Sequence, residues 1–480
     1  MSPRPSIVVV GGGIAGLAAA WELSGGARGP RSDGPRIELV EGSSRLGGAL
    51  ACEVFAGRVL DLGPDGFLAR RHEATTLADE LGLGERLVPI AASGASIFLK
   101  GALEALPEGL VLGVPTDYKV VKSMKGLSWM SRWDAWRDEH FPRKLTVDGD
   151  VSIGAILRAK LGSELTYQLI EPMVGGIQAG RVDELSARSV FPALYAAAQQ
   201  GGSLMKALRS AGGPSGLTAQ RLLGPLFMSL SSGVGSLVEE LERQLRERGV
   251  VIRLASPVTA LRATPAGTYP WEVDTADTST GASAVVLATP APVAGELTHG
   301  LDEGLAALRS VTSASAAMVT MVLPAGETTL PPTGTGVLIP LATQWDSDFM
   351  MTTAVTFLDR KWEHLRRDGE ILLRAHVGRI DDRRSQVLDD EHLVARVHAE
   401  LVSVLGRVGT PTATRVQRWP GGLPQYYVGH DEMVAAARRA LAPYAIRLAG
   451  NAYDGVGIPA SIGSGRHAAH EVLELLGLSS

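Results

Sequence analysis

Apolar and polar positions follow two periods along this chain, and the changes of period mark its elements. Ile7-Val8-Val9-Val10 is an unbroken apolar run, the pattern of a short buried strand. Gly11-Gly12-Gly13-Ile14-Ala15-Gly16 follows at once. It leads into Leu17-Ala18-Ala19-Ala20-Trp21-Glu22-Leu23, a run dominated by good helix formers. Strand, glycine turn and helix are therefore expected in that order. Arg36-Ile37-Glu38-Leu39-Val40-Glu41 reads as a second strand, after a surface loop over residues 25–35 that is rich in Gly, Pro and Arg. Leu50 to Phe55 and Val59 to Leu62 read as two short strands about a turn at Ala56-Gly57-Arg58. Glu73 to Leu81 reads as a helix stopped by Gly82.

Farther along, Trp129, Trp133 and Trp136 recur at helical spacing, flanked by Lys122, Lys125, Arg132 and Arg137. This stripe is expected to face a core, with the charges solvated; an amphipathic helix at a membrane interface is the alternative. Ser152 to Leu161 predicts a capped helix, and a new helix is expected from Asp183-Glu184-Leu185-Ser186. Between them, three glycines in residues 169–180 are expected to break an otherwise buried helix. A helix to Arg248 is closed by Gly249, and a strand follows over Val250 to Leu254. A meander over Leu261 and Trp271 to Val273 leads to an apolar strand that ends at Pro290. Antiparallel strands are expected over Met318 to Leu323, Gly336 to Pro340, Met351 to Leu358 and Ile371 to Val377. A helix over Glu391 to Leu405, a strand over Val416 to Trp419, an extended loop over residues 420–426, a strand near Arg447 and a helix from Ala460 to Leu476 complete the pattern.

At 480 residues, two or three domains are expected. A hydrophobic fraction of 45% and 57 glycines suit a large α/β enzyme with many tight turns. A net charge of −5 gives no support for nucleic-acid binding. The single cysteine, Cys52, excludes an intramolecular disulfide and suits a reducing cytoplasm; it is expected to be a small buried apolar residue rather than a redox centre. A strand within six residues of the start leaves no room for a signal peptide, and no apolar window is long enough for a membrane span. Peripheral membrane contact stays open. The ten histidines show no metal-ligand spacing, so no metal is expected.

The candidate chemistry starts with Gly11, Gly13 and Gly16, a GxGxxG between a strand and a helix. In such a turn Gly11, Gly12, Gly13, Ile14, Ala15 and Gly16 bring backbone against a pyrophosphate at a helix N-terminus. Glu41, 25 residues after Gly16, ends the second strand, with Gly42 next. Its carboxylate suits two ribose hydroxyls and repels a 2′-phosphate, which disfavours NADP. Arg45, Gly48 and Ala49 follow closely. Gly63-Pro64-Asp65-Gly66 reads as a rigid close-approach loop, and Gly455-Val456-Gly457-Ile458-Pro459 as a second glycine turn feeding a helix N-terminus, a place for developing negative charge.

An Arg and a glycine pair so soon after the ribose acid resemble the second fingerprint of the flavin amine oxidase and porphyrinogen oxidase superfamily, which implies FAD, with NAD the alternative. The resemblance to the porphyrinogen oxidases of haem synthesis runs through most of the chain. It rests on Gly11 to Gly16, Gly63-Pro64-Asp65, Glu171-Pro172 with Gly176 to Gly180, Asp183 to Ser186, Lys361-Trp362-Glu363-His364, Leu372-Leu373-Arg374, Leu423-Pro424-Gln425-Tyr426 and Gly450-Asn451 with Gly455 to Pro459. Departures are Ala460-Ser461 in place of Asp-Cys, where Ser461 can still cap the helix; Gly66 where Ser is common; and the lengthened 25–35 loop. The fold implied is α/β: a Rossmann-like FAD domain of the p-hydroxybenzoate-hydroxylase type, with an inserted α+β substrate domain and a helical domain. Boundaries are expected at 1–95, 226–295 and 416–480 for the FAD-binding parts, 96–225 for the inserted helical part and 296–415 for the substrate sheet.

The resemblance further implies non-covalent FAD, with Val258 beside the adenine, the Gly63 loop beside the isoalloxazine, and Trp419, Gly450, Asn451, Val456, Gly457 and Ile458 completing the cofactor set. Arg71 is the expected partner of a substrate propionate, and Gly176 the place where a macrocycle lies against backbone. Within the family the chain most resembles the Gram-positive type associated with coproporphyrinogen III; other members act on protoporphyrinogen IX. Six electrons leave in three two-electron turns, with O2 giving H2O2. No catalytic side chain is expected, because the macrocycle's own nitrogens can release the protons. A ferrochelatase is a conceivable partner, and the protein is expected as monomer or homodimer. A flavin amine oxidase, which would need an aromatic cage, and a flavin-binding protein without turnover are the competing readings.

Overall fold

The computed structural model describes residues 4–30, 34–212, 224–265 and 267–478; residues 31–33 of the expected loop and 213–223 near the expected boundary at 225 lie outside the described residues. A five-stranded parallel sheet runs in the order Val251–Arg253, Arg36–Val40, Ser6–Val10, Ala284–Leu287, Ile446–Leu448. Its central strands read as apolar runs, Ile7 to Val10 and Ala284 to Leu287, because both faces are covered. Ile7 and Val9 face the helices Ile14–Leu23, Ser236–Glu247 and Ile458–Leu475. Val8 and Val10 face a three-stranded meander, Val258–Ala263, Trp271–Thr275 and Ser279–Ala282, together with helices Ala291–Thr298 and His430–Leu441.

A seven-stranded sheet forms the second body, in the order Ala413–Pro424, Ser313–Pro324, Glu370–Val377, Thr352–Phe357, Gly336–Leu338, Ser96–Leu99, Ala102–Ala105. All its pairings are antiparallel except Gly336–Leu338 with Ser96–Leu99. Side chains alternate across it. Val319, Met321, Leu373, Ala375 and Val355 pack against Leu393, Val397 and Leu401 of helix Asp390–Leu405. The opposite face carries Met318, Thr320, Arg374, His376 and Thr356. A helical layer around Leu157, Leu161, Leu169 and Leu194 covers residues 118–212.

Three local expectations are corrected. First, the glycines of residues 169–180 do not break the helix: Glu171–Gln178 runs through Gly175 and Gly176 and ends only at Ala179, at φ 51°. A buried helix carries the cost of such glycines, about 1 kcal/mol each relative to Ala, through its packing. Second, residues 420–424 are strand rather than loop. They pair with Ser313 and Ala314 across a register shift, and Pro420 is accepted because this is an edge strand. Third, the Trp stripe does not face a core. Helix Trp129–His140 buries the small face Ser131, Ala135 and Asp138, and leaves Trp129 73% and Trp133 52% exposed. Small residues allow close helix–helix approach, and the Ser128 and Ser131 hydroxyls are drawn to Glu164 on the adjoining helix.

Candidate functional site

The first strand ends at Gly11, whose N–H donates to the Val40 carbonyl at 2.8 Å. A Cβ on Gly16 would overlap the Gly11 carbonyl oxygen, so only glycine lets this helix start so close to its strand. Helix Ile14–Leu23 begins at Gly13 with no side-chain cap, and the space a Gly13 side chain would fill is open. Its first N–H groups are thus offered to an anion. Glu41 is held by two backbone donors, Gly12 N–H to Oε2 at 2.6 Å and Ser43 N–H to Oε1 at 2.7 Å. Each oxygen keeps a further acceptor position. Ser256 N–H donates to Glu41 O at 2.9 Å, which brings Val258 to the same end of the sheet. Gly47 N–H donates to Gly12 O at 2.8 Å and Gly47 forms a parallel bridge with Gly13, so residues 45–49 run alongside the glycine turn. Arg45 donates to the carbonyls of Leu46 and Gly48 and lies 5.7 Å from the Trp419 ring.

Beyond Ala49 the chain meets the Gly63 loop, where a Gly63 Cβ would overlap the Ala49 carbonyl. This loop is bound from the seven-stranded sheet. Trp419 Nε1–H donates to Leu62 O at 3.1 Å, and the fully buried Arg374 donates to the Gly63 and Asp61 carbonyls. Asp65 accepts from Lys361 Nζ at 2.9 and 3.1 Å and from Trp362 Nε1 at 2.7 Å. A Cβ on Gly66 would come within 2.6 Å of the Trp362 ring and 2.8 Å of the Met228 carbonyl oxygen, so this position is closely packed from both sides. Burial alone would raise the Asp65 carboxyl, but Lys361, Arg374 and the donated hydrogen bonds outweigh it and hold the group well below the usual carboxylate range. Burial, more than any bonding, pushes Asp61 up to about 6. It also lowers the Arg374 guanidinium and, with Arg374 nearby, pushes the His376 imidazole down to about 4. His376 is therefore neutral at pH 7, with Nε2 3.2 Å from Thr356 Oγ1.

The third wall is the turn before the C-terminal helix. Gly450 N–H donates to Ser464 Oγ at 2.9 Å. The Tyr426 hydroxyl donates to Asn451 O and accepts from Gly455 N–H at 3.0 Å. His430 stacks on Tyr426 with ring centroids 4.0 Å apart and bonds Ala452 O at 3.0 Å. Asn451 Nδ2 reaches Gly422 O at 3.3 Å, and Val456 is half-buried before Gly457. Helix Ile458–Leu475 starts at Gly457 with no side-chain cap, which corrects the capping role expected of Ser461: that residue is buried a turn inside the helix. A Cβ on Gly465 of the C-terminal helix would overlap the Ala15 carbonyl oxygen, so this helix packs directly against the first one and closes the circuit of the three walls.

Neither substrate candidate takes part in the contacts that close this circuit. Gly176 has nothing within 4 Å of its would-be side chain, and Ile177 beside it is 50% exposed. Arg71 is paired with Glu73 at 2.7 Å. Lys361, Trp362, Arg374, Tyr426 and His376 acquire positions here that no local pattern assigned. Their only sequence signal is a polar residue on an inward strand position or inside a quoted motif. The buried Thr289 hydroxyl, beside Gly11, has no partner among the described residues. The Cys52 thiol is half-buried and pushed up to about 11, chiefly by burial, which leaves it a weak nucleophile. Among the described residues, no group of three or more His, Cys, Asp or Glu could hold a metal ion, and no helix is long and apolar enough to cross a membrane.

The family described as flavin containing amine oxidoreductase matches residues 14–473. The chain is similar to the coproporphyrinogen III oxidase of Bacillus subtilis (strain 168), at 34% identity over 98% of this chain and 99% of that one. It is similar to the protoporphyrinogen oxidase of Macaca fascicularis at 30% identity, over 98% of each. A crystal structure from Exiguobacterium, solved under the provisional name of a protoporphyrinogen oxidase, superposes with a TM-score of 0.85 at 33% identity, over 99% of this chain and all of that one.

Proposed function

The chain belongs to the flavin containing amine oxidoreductase family and, within it, to the porphyrinogen oxidases, and from that premise we propose that it oxidises coproporphyrinogen III to coproporphyrin III in porphyrin biosynthesis. The observation that carries this choice of substrate is the 34% identity to a coproporphyrinogen III oxidase along nearly the whole of both chains, against 30% to a protoporphyrinogen oxidase. The residues present fit FAD. Two helices start without side-chain caps, and the carboxylate for a ribose is already oriented by Gly12 and Ser43. Bound FAD supplies a two-electron acceptor. The substrate loses six electrons and six protons, so three O2 become three H2O2 per porphyrin.

In this reading Gly11 to Gly16, with Arg45, Gly48 and Ala49, hold the diphosphate, while Glu41, Gly42 and Val258 hold the adenosine. Gly63 to Gly66, Trp419, Gly450, Asn451, Val456, Gly457 and Ile458 surround the isoalloxazine without a covalent link. The uncapped start of the C-terminal helix places N–H groups where negative charge grows. Arg374 and the Lys361–Asp65 pair hold the Gly63 loop from the neighbouring sheet and so keep that backbone in place where an isoalloxazine would lie. His376 is neutral and no side chain is assigned as base; protons leave from the macrocycle's own nitrogens. The open space over Gly176 takes the macrocycle, and Arg71, exchanging Glu73 for a propionate, binds its edge. The domain division 1–95, 96–225, 226–295, 296–415 and 416–480, a cytoplasmic location, a monomer or homodimer and an encounter with a ferrochelatase belong to the same proposal.

The test is anaerobic reduction of the bound flavin by each porphyrinogen. Faster bleaching by coproporphyrinogen III is expected. Faster bleaching by protoporphyrinogen IX would move the enzyme to that substrate, and bleaching by a polyamine alone would overturn the proposal.

A further inference from the structure

The turn before the C-terminal helix is held by side chains that no step of the oxidation uses. Residues 450–457 carry glycines at positive φ: Gly450 at 123°, Gly455 at 112° and Gly457 at 115°. Left to itself, such a turn has many accessible conformations. Yet it delivers the first N–H groups of helix Ile458–Leu475, and their direction decides how well they meet negative charge.

Side chains outside the turn grip its backbone. Ser464 Oγ accepts from Gly450 N–H at 2.9 Å. The Tyr426 hydroxyl donates to Asn451 O and accepts from Gly455 N–H at 3.0 Å. Ala452 O can only accept, so His430 Nε2 carries the hydrogen of their 3.0 Å bond. The imidazole is held uncharged, because burial lowers its pKa more than that bond raises it.

These grips are themselves fixed. Tyr426, His430 and Ser464 are all buried, and the Tyr426 and His430 rings stack 4.0 Å apart at 11°. Ser464 also donates to Asp454, whose two oxygens each accept from Arg438 Nη2 at 2.7 Å. His430 and Arg438 both belong to helix His430–Leu441, so one helix anchors the turn at two points. On its other side the turn is open. Among the described residues, a side chain on Gly457 would meet nothing within 4 Å, and one on Gly450 would meet Ala15 alone, at 4.0 Å.

We propose that His430 and Ser464, together with Tyr426, are positioning residues for the flavin: by pinning the turn they hold the helix N–H groups toward the edge of the isoalloxazine that becomes negative on reduction, and so raise the midpoint potential of bound FAD. N–H groups already in place cost no reorganisation when the charge arrives. The proposal rests on the FAD reading above and goes beyond it, because these residues act through the turn.

The experiment is reductive titration of the FAD-saturated protein against a dye of known potential. His430→Phe keeps a ring over Tyr426 and removes the bond to Ala452 O. Ser464→Ala removes the acceptor of Gly450 N–H. Each should weaken the binding of reduced FAD about tenfold more than that of oxidised FAD, which for a two-electron couple is a midpoint potential about 30 mV lower. His430→Gln, which can donate to the same carbonyl, should recover most of the difference. If His430→Phe does not fold, Ser464→Ala carries the same expectation. A merely structural role would lower Tm, or weaken both redox forms of FAD alike, and leave the potential at the parent value; that result overturns the proposal. So does a His430→Gln potential no nearer the parent than that of His430→Phe. A parent protein that fails to bind FAD in a fluorescence titration would overturn the FAD reading itself, whereas FAD bound at an unchanged potential in the variants overturns this inference alone.

Discussion

Replacing Asp61 by Asn should remove a pH-dependent loss of stability whose size follows from the site. Asp61 is 8% exposed, ends strand Arg58–Asp61 beneath the Gly63 loop, and accepts from Gly235 N–H at 3.2 Å through Oδ1. Burial pushes its carboxyl up to about 6 against the opposing hydrogen bonds and Arg374, whereas an unfolded Asp titrates near 3.9. The folded pKa is the higher one, so the favourable contribution is complete below about pH 4. As pH rises toward about 6, the unfolded chain gains the charge while the folded chain still holds its proton, and stability falls. About two pKa units at 1.36 kcal/mol each make this loss about 3 kcal/mol, complete just above pH 6. Asn keeps the acceptor for Gly235 and cannot ionise. The stability difference between Asp61→Asn and the parent should therefore grow by about 3 kcal/mol in favour of the variant between about pH 4 and pH 7, then level off. Urea unfolding of both proteins, saturated with FAD and followed by Trp fluorescence across that range, reads the difference directly. A difference that stays constant with pH, or that moves toward the parent, would refute the reasoning.

Other consequences are equally direct. Lys361→Met removes the cation that outweighs the burial of Asp65, so the Asp65 carboxyl should rise and kcat/KM should acquire a loss on the acid side that the parent lacks; a parallel pH profile would show that the ion pair does not hold the loop. Tyr426→Phe deletes bonds to Asn451 O and Gly455 N–H, about 1–3 kcal/mol, and should raise the FAD dissociation constant about tenfold or more in a flavin-fluorescence titration. Gly176→Ala puts a methyl into space that nothing in the chain occupies, so folding and flavin content should be normal while KM for the porphyrinogen rises; unchanged catalytic efficiency would remove Gly176 from the substrate floor.

Where the determinants are short in sequence, the chain could be read directly. The strand Ser6–Val10, the glycine turn and helix Ile14–Leu23 lie within 18 residues, and the severest steric demand at Gly16 acts back on Gly11. The Glu41 strand end, the hairpin Cys52–Phe55 with Arg58–Asp61, and the glycine start of the C-terminal helix followed from the same local rules. Periodicity also placed Trp129, Trp133 and Trp136 on a helix, but it says nothing of which side the neighbouring helices cover. Ser131 and Ala135 took the buried side because small residues let helices approach. Likewise, packing around residues 171–178 decided that Gly175 and Gly176 stay helical. Lys361 meets Asp65 across 296 residues, and Arg374 reaches Gly63 across 311. Such pairings depend on how two sheets stack, and local backbone preference carries no record of that. By itself the sequence determined the dinucleotide-type turn, the family and the order of elements; only the tertiary structure decided which charges brace the Gly63 loop and which aromatic rings are left facing water, because both are set by contacts between segments that no short-range period connects.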